Sequence, residues 1–166
     1  MLKKLFIKKV PFIGWVKFKE PNNEPYGDLG VYLVNPTSKT YEEVEMFYGM
    51  FEGDLDGLLE SSKVVKNLGT LKPYSSIKID AMTWYDLDFV FWYLLDFFPR
   101  LKDKPESYSF EIMKAYDWKE EKIEPLPVLN TKGIKIVLSE RKGLPISEEV
   151  KNAYLESRYT PTRVNE

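Results

Sequence analysis

The stretch DLDFVFWYLLDFFP, Asp86 to Pro99, constrains the fold of this 166-residue chain more than any other. Its uninterrupted apolar run, Phe89 to Leu95, is far too short to cross a bilayer, which takes about 20 apolar residues in a helix. Read with period two, Leu87, Phe89, Phe91, Tyr93, Leu95 and Phe97 form one wholly apolar face. The other face runs Asp88, Val90, Trp92, Leu94, Asp96 and is apolar only in its middle. This is the pattern of a central strand with one face in the core and the second covered at mid-length. A helix over the same residues has an N-cap in Asp86 and a stop at Pro99, but it is aromatic on every side and needs burial all round. The strand is the better reading. Leaving Val90, Trp92 and Leu94 in water forfeits about 1.5–3 kcal/mol each, so these three residues are the candidate interaction surface.

Further strands are expected at Ile13 to Lys19, Leu29 to Asn35, Tyr41 to Phe51, Ser62 to Leu68, Ser75 to Asp80, Glu106 to Tyr116 and Gly133 to Ser139. Some eight short strands punctuated by Pro, Gly and Asn suggest a sandwich or barrel. Aromatic residues make up 15% of the chain, which suits pleated, half-buried surfaces. Between Asp117 and Thr131 the charged, then Pro-punctuated WKEEKIEPLPVLN predicts a long surface loop. Only Pro145 to Arg158 reads as a helix: Ser147 can cap it, Glu148 and Glu149 suit its first turn, and Val150, Ala153 and Tyr154 form a narrow stripe. The expectation is one domain over 1–158, with a short C-terminal helix at 147–157 and a loose tail at 159–166. That helix is the favoured cover for Val90, Trp92 and Leu94; loops of the opposing sheet or a second copy of the chain are the alternatives.

The passage VYLVNPTSKTYEEVEM, followed by LGTLKPYSSIKID and an aromatic strand, resembles the immunoglobulin-like sandwich modules of bacteria and archaea, including CARDB-like adhesion domains. The matching residues are Asn35 at a strand end, Val44 in the following alternation, Leu71 and Pro73 in the turn, and Ser75 to Asp80 in the next strand. The likeness spans roughly 29–116. It implies an immunoglobulin-like antiparallel β-sandwich of seven to nine strands, with a role in adhesion or scaffolding. It implies no catalytic residues.

Two zeros bound the chemistry: the chain has no histidine and no cysteine. A Ser-His-Asp triad, a histidine base, a thiolate nucleophile and Cys- or His-ligated metals are excluded. Carboxylate-pair catalysis, oxygen-ligated cations and serine with a lysine base survive. Ser75 and Lys78 form an S-x-x-K, but in a strand that odd separation sends the two side chains to opposite faces. Pro105-Glu106 followed by Asp117-Trp118-Lys119 matches a nuclease pattern that recurs elsewhere in so charged a chain, and so discriminates nothing. The acidic segment EGDLDGLLE, with Glu52, Asp54, Asp56 and Glu60, compresses the spacing of a calcium loop and puts Leu58 where a ligand belongs. It reads first as a turn solvated by its acids, and second as a nonstandard cation site. Trp15, Trp84 and Trp118 read as core or rim residues, or else as platforms for sugar rings.

A net charge of −2 argues against binding nucleic acid by phosphate neutralisation. The basic opening MLKKLFIKKVPF lacks the unbroken apolar core of a secretory signal, so a cytoplasmic location is expected. No cofactor is expected. The reading these residues favour is a non-catalytic protein-interaction or structural module that binds a protein partner or a second copy of itself, not a membrane. A carbohydrate-binding protein or a carboxylate-dependent hydrolase on the same fold is the alternative.

Overall fold

The computed structural model describes residues 9–17, 29–54, 57–60, 64–82, 90–113 and 118–141; for 50–54, 57–60, 64, 82 and 113 it describes the backbone alone. The helix expected over 147–157 and the tail at 159–166 lie outside the described residues. Eleven strands follow in order: β1 (Phe12–Lys17), β2 (Leu29–Asn35), β3 (Tyr41–Asp54), β4 (Gly57–Glu60), β5 (Val64–Leu71), β6 (Ser75–Met82), β7 (Val90–Phe98), β8 (Glu106–Met113), β9 (Glu124–Leu126), β10 (Thr131–Val137) and β11 (Ser139–Glu140). The described helical structure is a 3-10 turn at Glu120–Lys122. β4, β9 and β11 have four residues or fewer and carry the strand count beyond the expected seven to nine.

All pairings are antiparallel and make two sheets in a sandwich-like arrangement. One has the order β6-β2-β1-β10-β9; the other runs β11-β8-β7-β3-β4, with β5 also paired to β3. Fourteen-residue β3 is long enough to pair β5 along Tyr41–Tyr48 and β4 along Phe51–Asp54. The chain changes sheet five times, between β2 and β3, β5 and β6, β6 and β7, β8 and β9, and β10 and β11.

The core lies between the sheets. β7 contributes Phe91, Tyr93, Leu95 and Phe97, all buried, so the period-two reading of its odd face holds. β1, β2 and β10 answer from the other sheet with Ile13, Trp15, Leu29, Val31, Leu33 and Ile134. Burial of each large side chain contributes roughly 1.5–3 kcal/mol. Tyr93 stacks on Phe110 at 4.4 Å between centroids, and its hydroxyl donates to Asp80 Oδ2 at 2.6 Å, tying β7 to β6 of the opposite sheet. Burial, and then the Asp80 carboxylate, push the Tyr93 phenol well above its ordinary range, so it stays a neutral donor.

The long loop expected between Asp117 and Thr131 is instead largely structured. β9 and β10 form a hairpin whose turn places Val128 and Asn130 at positive φ, 73° and 52°. Leu126, Val128 and Leu129 then fold onto the outer face of the five-stranded sheet against Phe12, Val16 and Val34. A Cβ on Gly14 would stand 2.8 Å from Leu129 Cδ1, so glycine there is what lets the turn lie flat on β1. β1 is thereby covered on both faces, and Trp15, a candidate sugar platform in the sequence, is fully buried. Trp118 packs edge-on against it at 4.9 Å and is half-buried; Trp84 lies outside the described residues.

Asn35, at the end of β2, is fully buried and uses its whole amide. Its Nδ2 donates to the carbonyls of Lys39 and Lys72 at 2.8 and 3.0 Å; its Oδ1 accepts from the Thr37 amide and hydroxyl at 3.1 and 2.6 Å. One side chain thus joins the β2–β3 connection to the β5–β6 turn. In that turn Tyr74 takes a left-handed φ of 49°, and its N–H donates to Thr37 O at 3.1 Å.

Candidate interaction surface

The alternation of β7 sends Val90, Trp92 and Leu94 to the outer face of the six-stranded sheet, opposite the core residues between them. Val90 is buried, while Trp92 and Leu94 are half-buried. Register brings the rest of the face to them. Gly49 and Phe47 of β3 sit opposite Trp92 and Leu94, and Glu111 and Ser109 of β8 sit opposite the same two residues on the other side.

Gly49 decides how the indole lies. A Cβ at that position would come within 2.6 Å of Trp92 Cζ2, a distance no packed structure holds, so the ring rests directly on the β3 backbone. From there it meets Phe47 edge-on, at 5.3 Å and 77°. Such aromatic pairs favour this geometry because the positive ring edge meets the negative face. A shallow depression of about 390 Å³ opens beside them, bordered by Trp92, Leu94, Ser109, Glu111 and Ser139.

Along β7 the face changes from apolar to ionic. Asp96, which closes the apolar middle of this face in the sequence, is fully buried. The Ser107 hydroxyl donates to its Oδ1 at 2.6 Å, and Arg141 Nη2 reaches the same oxygen at 3.2 Å. The guanidinium makes that burial tolerable, because a buried carboxylate without a cation is severely penalised. Glu45 stands opposite Asp96 on β3. Burial first, then the neighbouring carboxylates of Glu43 and Asp96, raise the Glu45 carboxyl above its ordinary value.

A second concave feature occupies the end of the sandwich where β1, β3 and β8 begin: a cleft of about 760 Å³. Lys39 and Glu106 face each other in it at 2.6 Å, both substantially exposed. Lys39 Nζ also lies 5.0 Å from the centroid of the Tyr41 ring. Burial, then Glu106 and Tyr108, push the Tyr41 phenol up to about 12. No short sequence pattern could have found this cleft, since its paired charges are 67 residues apart, Lys39 in the β2–β3 connection and Glu106 at the start of β8, and meet only in the fold.

Of the acidic candidates, Glu52 and Asp54 fall on β3 and Glu60 on β4, where Asp54 pairs with Gly57 and Phe51 with Glu60. Their side chains, and Asp56 altogether, lie outside the described residues. Among the described residues no three acidic side chains converge on a cation-sized site, and no described helix is long and apolar enough to cross a membrane.

Two antiparallel sheets packed on one aromatic core define the class of fold. Comparison with known proteins adds little to it. No protein-family model matches the chain, and no curated protein is significantly similar to it. Among solved structures, the E. coli curli protein CsgC is similar at a TM-score of 0.38 and 8% identity, over 61% of this chain and 97% of that one. A likeness of that size carries no argument about function.

Proposed function

We propose that the chain is a non-catalytic protein-interaction module whose partner surface is the outer face of the six-stranded sheet, centred on Trp92 and Leu94. The observation that carries this reading is the half-buried pair itself, apolar on the outer face of the sheet. A tryptophan seated on glycine and braced by Phe47 presents a rigid apolar patch beside a shallow, polar-rimmed depression. Aromatic anchors of this kind, with a polar rim, are enriched where proteins bind one another. The resemblance to immunoglobulin-like modules supports the same reading, since it implies adhesion or scaffolding. In this reading the sandwich is immunoglobulin-like, and the occupant of the face is a protein partner or a second copy.

Mass measurement of the purified protein and of its Trp92→Lys variant tests the proposal. A variant that melts like the parent, yet loses a dimer or a co-purifying protein, supports it. A variant that keeps the parent's associations overturns it.

A further inference from the structure

The cleft at the end of the sandwich is separate from the Trp92 face, and its chemistry points to a different kind of ligand. Its walls come from the β2–β3 connection, the starts of β3 and β8, and the residues just before β1 and after β11. Four cations line it, Lys9, Lys39, Lys104 and Arg141, along with two carboxylates, Glu106 and Glu140. Arg141 is committed to Asp96 beneath. The remaining side chains offer both signs to one small volume.

The Lys39–Glu106 pair is not there chiefly for stability. With side chains 44% and 38% exposed, a single ion pair of this sort contributes about 0–1 kcal/mol. Its position is nonetheless fixed from both sides. Glu106 holds the ammonium at 2.6 Å and the Tyr41 ring lies under it. Tyr41 and Tyr108 in turn pack edge-on against the buried Phe97, at 5.1 and 5.5 Å. Burial keeps both phenols protonated well past neutrality, so toward a ligand they can donate hydrogen bonds.

Sites of about 300–1,000 Å³ take small molecules, and most are largely apolar; this one is not. A phosphate dianion would meet two like charges in Glu106 and Glu140. A neutral sugar would satisfy those carboxylates through its hydroxyls but leave one excess positive charge, three lysines against two carboxylates, unanswered. A molecule with one carboxylate and several hydroxyls answers both. We propose that the cleft binds an acidic saccharide of one or two rings, with its carboxylate on Lys39 and its hydroxyls on Glu106 and Glu140.

The test is a titration of the full chain, followed by backbone amide NMR, with glucuronate, glucose and acetate at equal ionic strength. Glucuronate is expected to give saturable shifts at Ser38, Lys39 and Glu106–Tyr108, with glucose and acetate weaker by about tenfold or more. Lys39→Met, at an exposed site that leaves the core untouched, should weaken glucuronate by a similar factor while amides far from the cleft keep their positions. Three results would overturn the proposal: no saturable shift in the cleft, acetate or glucose matching glucuronate, or an unchanged midpoint in Lys39→Met.

Discussion

Arg141 Nη2 lies 3.2 Å from Oδ1 of Asp96, a carboxylate with no exposed surface, and so fastens the chain just after β11 to the third strand of its sheet. Removing one partner of a buried pair leaves the other charge uncompensated, which costs about 3–5 kcal/mol. Arg141→Met should therefore destabilise the protein by about 3 kcal/mol in urea unfolding. Lys39→Met, which breaks the exposed pair with Glu106, should cost less than about 1 kcal/mol.

Asn35→Ala should be costly for a related reason. It strips the carbonyls of Lys39 and Lys72 and the Thr37 amide of their partner at a buried site. A loss of about 2–3 kcal/mol is expected. Tyr74, at positive φ in the adjoining turn, should separate backbone from side-chain effects. Tyr74→Gly should be neutral or stabilising, and Tyr74→Val destabilising by about 1–2 kcal/mol, both read by thermal melting.

Gly49→Ala should displace the Trp92 indole from β3. The expected effect is a loss of about 1–3 kcal/mol, with a changed near-ultraviolet circular dichroism signal from the ring. An alanine variant with parental stability and spectrum would show that the indole does not rest there.

Glu45 gives a pH prediction with a definite sign. Its carboxyl is raised by burial and by Glu43 and Asp96, so the folded state holds the proton more tightly than the unfolded chain does. Its ionised form therefore weakens the fold above the folded pKa, and that penalty fades as pH falls to the ordinary carboxylate value and below it. Glu45→Gln should be more stable than the parent at pH 7, and the difference should vanish under acid. Urea midpoints measured across pH check this directly.

Much of the fold was legible because alternation is a local signal. Phe91, Tyr93, Leu95 and Phe97 are buried as their spacing requires, and Leu29–Asn35 and Ser75 onward are strands as read. The misses involve long-range partners. The burial of Asp96 was not legible because nothing in its neighbourhood announces Arg141, which reaches it through the β11–β8 pairing. Trp15 sits in a strand flanked by lysines, yet its side chain faces the core between the sheets, where Trp118 packs against it. The β9–β10 hairpin was hidden because its turn uses Val128 at positive φ, where glycine is the usual marker. For the candidate face, sequence gave Val90, Trp92 and Leu94 but not Phe47 or Gly49, since register across β3 supplies them.

The central claim is that the Trp92–Leu94 face is a partner surface, and site-specific photo-crosslinking tests it most directly. A photoreactive phenylalanine analogue at position 94 is compared, in cells and in purified protein, with the same analogue at Val137, an exposed site on the other sheet. The expected result is a discrete crosslinked product from position 94, to a partner polypeptide or a second copy, that is absent from position 137 and lost in Trp92→Lys. No product from position 94, or equal products from both positions, would contradict the account.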